Sequence, residues 1–366
     1  MQFNSKLPNQ STTIFTMMSN LAREYKAINL SQGFPDFDCD QRLIDLVAEA
    51  MNKGINQYAP MLGDFGLREA ISEKFNKLYQ SSYYVDGEIV ITAGATQAIY
   101  NVISAFVHKG DEVILFKPAY DCYEPTIEIN GGKVIPIQLH YPNYQVDWNI
   151  VRDVITSKTR MIVVNTPQNP CGTTFSTDDM LQLQEITKDT NIIVLSDEVY
   201  EHMVYDGESH QSVCLFPELK KRSLITASFG KTFHATGWKM GYCCGPSELM
   251  KEFIKVHQFN VYCVNHPVQK ALATYIKNTD NYHELPAFFQ RKRDLFLEAI
   301  KDNKEFVLNG TNYSTPDGTC IRDYVHVEDI ANAHLLAAEN VVVGTFNLGT
   351  GLGYSNKQII DASLKV

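Results

Sequence analysis

Leu224-Ile225-Thr226-Ala227-Ser228-Phe229-Gly230-Lys231 opens as an apolar, partly β-branched run and ends on a small polar residue, a glycine and a lysine. Residues 224–228 contain neither Gly nor Pro and are too few for a helix, so they predict a buried strand that delivers Ser228 and Lys231 to its carboxyl end. Working outward, the pattern recurs. Residues 192–196 run into Asp197-Glu198-Val199-Tyr200, and residues 161–165 run into Asn165-Thr166-Pro167-Gln168-Asn169-Pro170-Cys171-Gly172. Residues 88–93, 112–116, 133–137 and 240–244 are further runs of the same kind. Between them lie amphipathic segments: residues 41–53, with Ile44, Val47, Ala48 and Met51 on one predicted face, and residues 96–107. Strand and helix in alternation predict an α/β fold with a mostly parallel sheet covered by helices on both faces. Ligands of such sheets bind beyond the carboxyl ends of the strands. The polar ends at residues 165–172, 197–200 and 228–231 are therefore the candidate site.

Composition narrows the class of function. The 366 residues are 44% apolar and 20% charged, which suits a compact protein of about two domains. Lys and Arg number 32 against 42 Asp and Glu, and the net charge of −10 argues against nucleic acid or an anionic membrane as the main partner. A small-molecule ligand is expected instead. No apolar stretch is long enough for a membrane span, and Met1-Gln2-Phe3-Asn4-Ser5-Lys6 lacks the layout of a signal peptide, so a cytoplasmic protein is expected. The eight cysteines include no C-x-x-C pair, which indicates neither a zinc knuckle nor a disulfide framework, and most are expected to be buried.

Singly, the polar strand ends have ordinary explanations. An Asp after a strand often caps a helix, Asn-Pro usually makes a turn, and a Lys is usually a solvated charge. Together with Asn29-Leu30-Ser31-Gln32-Gly33-Phe34-Pro35-Asp36-Phe37, Asn56-Gln57-Tyr58, Asp121-Cys122-Tyr123-Glu124-Pro125 and Gly230-Lys231-Thr232-Phe233-His234-Ala235-Thr236-Gly237-Trp238-Lys239, they carry a resemblance. From about residue 4 to residue 300 the chain resembles the fold-type-I aminotransferases dependent on pyridoxal 5′-phosphate, in the branch of the kynurenine, glutamine and bacterial methionine aminotransferases.

The resemblance implies a residue-by-residue site. A carbonyl cofactor carried as an imine needs a lysine that can lose its proton in a partly desolvated, electropositive place. Lys231 matches the family's lysine of that kind, and its freed amine would shuttle the substrate proton. Asp197 matches the carboxylate that keeps the pyridine nitrogen protonated. Tyr200 and Asn169 match the partners of the ring oxygen, and Asn169 also borders the substrate. Tyr120 is the expected stacking aromatic, with Tyr123 as a rival. Ala95 and Thr96, at the opening of a helix, with Ser228 and Lys239, match the phosphate ligands; the family often has Arg where Lys239 stands, which would give a bidentate grip. Tyr58 resembles a tyrosine that crosses to a partner subunit, which implies a homodimer. Gly33 and Phe34 match the segment bordering the substrate pocket. Expected substrates are an amino acid (methionine, glutamine, an aromatic residue or kynurenine) and a 2-oxo acid, with β-elimination on cysteine conjugates as an alternative.

The resemblance breaks near the C-terminus. From about residue 306 to 366, Thr315-Pro316-Asp317-Gly318-Thr319-Cys320-Ile321-Arg322-Asp323-Tyr324-Val325-His326-Val327-Glu328-Asp329 and Thr345-Phe346-Asn347-Leu348-Gly349-Thr350-Gly351 resemble UDP-glucose 4-epimerases. Arg322 matches an arginine of that family that contacts the sugar-nucleotide diphosphate. The epimerases' Tyr-x-x-x-Lys pair is missing, and so is the late arginine with which the aminotransferases clamp the substrate carboxylate. The expected organisation is residues 1–45 as the N-terminal part of a small domain, 46–285 as the cofactor domain, 286–305 as the start of the second small-domain part, and 306–366 as the epimerase-like fragment. A tail that binds a nucleotide sugar without catalysis is the alternative function outside the aminotransferase class.

Overall fold

The structure is a computed structural model that describes residues 4–301 except 9, 11, 28, 30–32 and 34–36, and beyond them residues 316, 321, 322, 354 and 355. Two units divide the chain, Met1–Arg291 and Lys292–Val366. The first begins with helices α1 (Ile14–Glu24), α2 (Gln41–Asn52) and α3 (Phe65–Tyr79). Strands then alternate with helices: β1 (Ile89–Thr92), α4 (Gly94–Phe106), β2 (Glu112–Lys117), α5 (Tyr123–Ile129), β3 (Lys133–Gln138), α6 (Trp148–Val154), β4 (Thr159–Asn165), α7 (Thr177–Thr187) and β5 (Ile193–Asp197). The short helix α8 (Pro217–Lys220), β6 (Ser223–Ser228), the single turn α9 (Phe229–Thr232) and β7 (Gly241–Cys244) follow. Helices α10 (Ser247–Asn260), α11 (His266–Tyr275), α12 (Asp280–His283) and α13 (Leu285–Lys301) come last, the final one running on into the second unit. In that unit two short strands, β8 (Ile321–Arg322) and β9 (Tyr354–Ser355), pair antiparallel.

The seven strands of the first unit form one sheet in the order β1-β7-β6-β5-β4-β2-β3. All neighbours pair parallel except at β7, which is antiparallel to both β1 and β6. Period-2 alternation explains why the runs are continuously apolar. Ile114, Ile162, Val194, Ile225 and Tyr242 face one core cluster, while Val113, Met161, Leu195, Leu224 and Cys243 face another. Helices α3, α7 and α11 contribute to the first core through Leu67, Leu183 and Leu272, and α4 and α10 to the second through Ile99 and Phe253. Each such side chain, taken from water to a dry interior, contributes about 1.5–3 kcal/mol.

Three expectations need correction. In α2 the inward stripe is Leu43, Leu46, Val47 and Ala50, at i, i+3, i+4 and i+7, whereas Ile44, Ala48 and Met51 are exposed. That helix is apolar on two sides, and packing chose the one with the leucines. Residues 133–137 form an edge strand with exposed and half-buried positions, because β3 has a neighbour only in β2. Among the described cysteines, Cys214, Cys243 and Cys244 are buried, but Cys39, Cys122, Cys171 and Cys263 are only half-buried. Among the described residues no helix is long and apolar enough to cross a membrane.

Candidate active site

β4, β5 and β6 are parallel neighbours that end together: Asn165 is in register with Asp197, and Asp197 with Thr226. Their carboxyl ends open on a cavity of about 650 Å³. The turn after β4 is tied to β5, since the Asn165 side chain donates to the Asp197 carbonyl at 2.9 Å and accepts from the Asn169 N–H at 2.7 Å. Asn169 thereby reaches the cavity wall.

Asp197 lies on the cavity floor, 3% exposed. One carboxylate oxygen accepts the Tyr123 hydroxyl at 2.5 Å and the other accepts the Val199 N–H at 3.2 Å. Burial pushes its pKa up to about 6, although both hydrogen bonds favour the ionised form. A carboxylate so short of compensation favours a cation beside it. Tyr123 is thus a buried support under Asp197, while Tyr120 lines the cavity with its hydroxyl 3.4 Å from that of Thr96. The Tyr200 phenol is pushed up to about 12, first by burial and then by the negative charge of Asp197, with a hydrogen bond to the Asn169 side chain opposing.

Lys231 sits in α9, whose first turn is capped by the Ser228 hydroxyl accepting the Gly230 N–H at 3.2 Å. Its ammonium lies 5.8 Å from the Tyr200 ring centroid. Burial lowers its pKa and the Lys239 charge lowers it further, so the neutral amine is favoured relative to an ordinary lysine. Lys239 turns back in the left-handed region at φ +54° and brings its ammonium close to Gly94, where a Cβ would lie 3.5 Å from the nitrogen. Helix α4 starts at Gly94 with no side-chain cap, so its first N–H groups are unpaired within the helix. That end can approach β7 because residue 241 is glycine: a Cβ there would stand 2.8 Å from the Gly94 carbonyl carbon and 2.5 Å from the Ala227 oxygen. A helix N-terminus, a hydroxyl and an ammonium around one cavity suit a phosphate dianion.

Ala95, Thr96, Tyr120, Asn169, Asp197, Tyr200, Ser228, Lys231, Lys239 and Gly33 all line this cavity. Tyr58 does not; its ring is 82% exposed and packs edge-on against Tyr262. Phe34 lies outside the described residues. Sequence reasoning missed Phe15 of α1, Asp121 and Thr236, which also line the cavity. Asp121 was legible as the neighbour of Tyr120, but no local pattern brings Phe15 there.

Residues 25–347 match the family described as aminotransferase class I and II. The chain belongs to the class I and II aminotransferases. It is 43% identical over 327 residues to the methionine aminotransferase of Escherichia coli K12, a match covering 88% of this chain and 85% of the relative. It is 33% identical to human kynurenine–oxoglutarate transaminase 3, covering 79% and 68% of the two chains. The crystal structure of an E. coli protein identified as a methionine aminotransferase superposes with a TM-score of 0.81 at 40% identity, covering 94% of this chain and 90% of that one. As an aminotransferase of this family, the protein uses pyridoxal 5′-phosphate and moves an amino group between an amino acid and a 2-oxo acid. The cavity has groups that suit that cofactor: uncapped N–H groups and the Lys239 ammonium could meet a phosphate, and a buried carboxyl in want of a cation could meet a protonated ring nitrogen. The family match continues past residue 306, as far as residue 347.

Proposed function

We propose that Lys231 carries the pyridoxal phosphate covalently and that the chain transaminates methionine, glutamine, aromatic amino acids or kynurenine with a 2-oxo acid as acceptor. One observation carries the reading: Lys231, with a depressed pKa, shares a single cavity with the buried Asp197 and with Lys239 at the α4 N-terminus. The names of the relatives in E. coli and human support methionine and kynurenine among the substrates. When bound, the cofactor supplies a carbonyl carbon for the amino group and a ring that accepts the electrons of the broken Cα–H bond. Asp197 holds the ring nitrogen's proton, and Tyr200 and Asn169 hold the ring oxygen. Tyr120 covers one ring face, and Ala95, Thr96, Ser228 and Lys239 bind the phosphate. The Lys231 amine, once released, takes the proton from the substrate α-carbon. Gly33 and Phe34 border the substrate. Tyr58, exposed and outside its own cavity, reaches a second subunit's phosphate in a cytoplasmic homodimer.

Residues 306–366, with the motifs at 315–329 and 345–351, are an epimerase-like replacement for the end of a truncated small domain in this reading. Apart from residues 316, 321 and 322 these motifs lie outside the described residues. Among the described residues no arginine lines the Lys231 cavity; Arg291 borders a separate one with Asp40 and Arg42. Transamination is accordingly impaired by the missing carboxylate clamp. The test is direct. Borohydride reduction of the yellow protein should fix the cofactor to one lysine, and peptide mapping should find it at Lys231. Lys231→Ala should lose the visible band; a label on another lysine sinks the assignment.

A further inference from the structure

The turn after β5 puts Asp197 and Tyr200 on the cavity and sends three ionisable neighbours the other way. Glu198, Glu201 and His202 are buried behind it, at 2%, 7% and 8% exposure. Glu198 accepts the Ser196 hydroxyl at 2.8 Å and the Val213 N–H at 3.2 Å, and its other oxygen lies 2.9 Å from His210 Nε2. Glu201 receives the Lys74 ammonium, from α3, on one oxygen and the Tyr79 hydroxyl on the other at 2.7 Å. Lys74 also donates to the Tyr242 hydroxyl of β7 at 3.2 Å, and His202 Nε2 stands 3.7 Å from Glu201. The backbone is closed by Glu201 N–H donating to the Glu198 carbonyl at 3.0 Å and Met203 N–H to that of Tyr200 at 2.8 Å.

Burial pushes Glu201 towards neutrality, but the Lys74 charge and the hydrogen bond it donates outweigh burial and hold the Glu201 pKa down to about 2. Burial drives His202 down to about 3, so the imidazole stays neutral. The core of the cluster is therefore an ion pair in a dry interior. Such a pair gains no stability over apolar side chains of the same volume, because desolvation offsets the attraction. What the charges add is direction. The Lys74 ammonium is held between the Glu201 carboxylate and the Tyr242 hydroxyl, the Tyr79 hydroxyl holds the other Glu201 oxygen, and Glu201 adjoins Tyr200.

We propose that Lys74 and Glu201 are positioning residues for Tyr200: their buried pair, braced by Tyr79 and Tyr242, fixes the 197–202 turn so that the Tyr200 hydroxyl meets the cofactor ring oxygen beside Asn169. This rests on the assignment of Tyr200 to that oxygen. A double-mutant cycle separates the two. The apo-protein is titrated with pyridoxal phosphate to give a dissociation constant, and the pH midpoint of the bound cofactor's visible band is recorded, for Lys74→Met, Tyr200→Phe and the pair. Lys74→Met is expected to weaken binding about tenfold and move the midpoint by about one pH unit, and to change neither in the Tyr200→Phe background beyond about twofold or 0.2 unit. Lys74→Arg, which keeps the charge, should restore most of both. Equal effects of Lys74→Met in the two backgrounds overturn the proposal, since a merely structural role is additive. If Tyr200→Phe alone alters neither readout, the ring-oxygen assignment fails and the proposal with it. Should Lys74→Met not fold, Glu201→Gln, which keeps volume and acceptor, enters the same cycle, where coupling to Tyr200→Phe supports the proposal and additivity overturns it.

Discussion

Asp197→Asn should stabilise the cofactor-free protein and disable the enzyme at once, and the structure sets the size of both effects. The Asp197 carboxyl has a pKa of about 6 in the fold against an ordinary 3.8, because the cavity floor is dry. Between those values the folded chain binds more protons than the unfolded one, so stability falls as pH rises from about 4 to about 6 and the loss is complete above about 7. The gap corresponds to about 3 kcal/mol. Asparagine removes the charge and keeps an acceptor for the Tyr123 hydroxyl or the Val199 N–H, at the cost of an amide N–H₂ with fewer partners, worth about 1–3 kcal/mol. Net, Asp197→Asn should be more stable than wild type by up to roughly 2 kcal/mol at pH 8, and less stable than wild type or equal to it at pH 4, where the native carboxyl is protonated. Denaturant unfolding of both apo-proteins across that range measures it. The half-reaction of the cofactor-loaded variant should meanwhile slow by about two powers of ten or more, near 3 kcal/mol of barrier, with much of the cofactor still held by the phosphate ligands. A stability difference that does not change with pH would refute the buried-carboxylate argument, and an unchanged half-reaction would remove Asp197 from the chemistry.

The remaining predictions concern the phosphate end of the cavity and the residues that could hold a substrate carboxylate. Lys239→Met should weaken pyridoxal phosphate binding by about two powers of ten, the range of a hydrogen bond to a charged group, while Lys239→Arg binds at least as well as wild type; absorbance titration of the apo-protein reads both. Gly241→Ala places a methyl group 2.5 Å from the Ala227 oxygen and 2.8 Å from the Gly94 carbonyl carbon, all backbone, so it should lower apo stability by about 2–3 kcal/mol and abolish cofactor binding by displacing the start of α4, as denaturant unfolding and the same titration would show. Single-turnover conversion of methionine should exceed that of its decarboxylated amine by less than about tenfold, because among the described residues no arginine lines the Lys231 cavity to orient an α-carboxylate. A large preference for methionine that disappears in Arg322→Ala would show that the C-terminal segment supplies the clamp.

The strand ends were legible because a parallel strand buried on both faces cannot hide its polarity pattern: it is apolar until it leaves the sheet, and Asn165, Asp197 and Ser228 mark where β4, β5 and β6 do so. Which face of a helix turns inward was not legible where both faces are apolar, as Ile44 and Met51 of α2 demonstrate. Nor was the division of labour between Tyr120 and Tyr123. Both are aromatic and close in sequence, and only the position of Tyr123 at the start of α5, with its hydroxyl on Asp197, separates a cavity wall from a buried support. The Lys74–Glu201 pair was out of reach for a further reason. Its partners are 127 residues apart, and a Lys on an amphipathic helix reads as a solvated charge until the fold places a carboxylate over it.

The site keeps several charges in positions that each is the worse for occupying. Lys239 lowers the tendency of Lys231 to be charged in the same cavity, Asp197 is ionised only against its burial, and the first N–H groups of α4 have no side-chain cap. None of this serves the cofactor-free fold. A ligand with a dianionic phosphate and a cationic ring nitrogen relieves all of it together, so its binding free energy contains the electrostatic penalty that folding left in place. The cofactor should then stabilise the fold by mass action, by about 2.7 kcal/mol at a hundredfold excess over the wild-type dissociation constant, and at that same cofactor concentration Asp197→Asn should diminish the increment even as it raises the stability of the apo-protein. A protein whose active-site substitution strengthens the cofactor-free fold and weakens the loaded one has its function written into the electrostatics of the cavity rather than into the packing of its core, which Ile162, Val194 and Ile225 hold in either state.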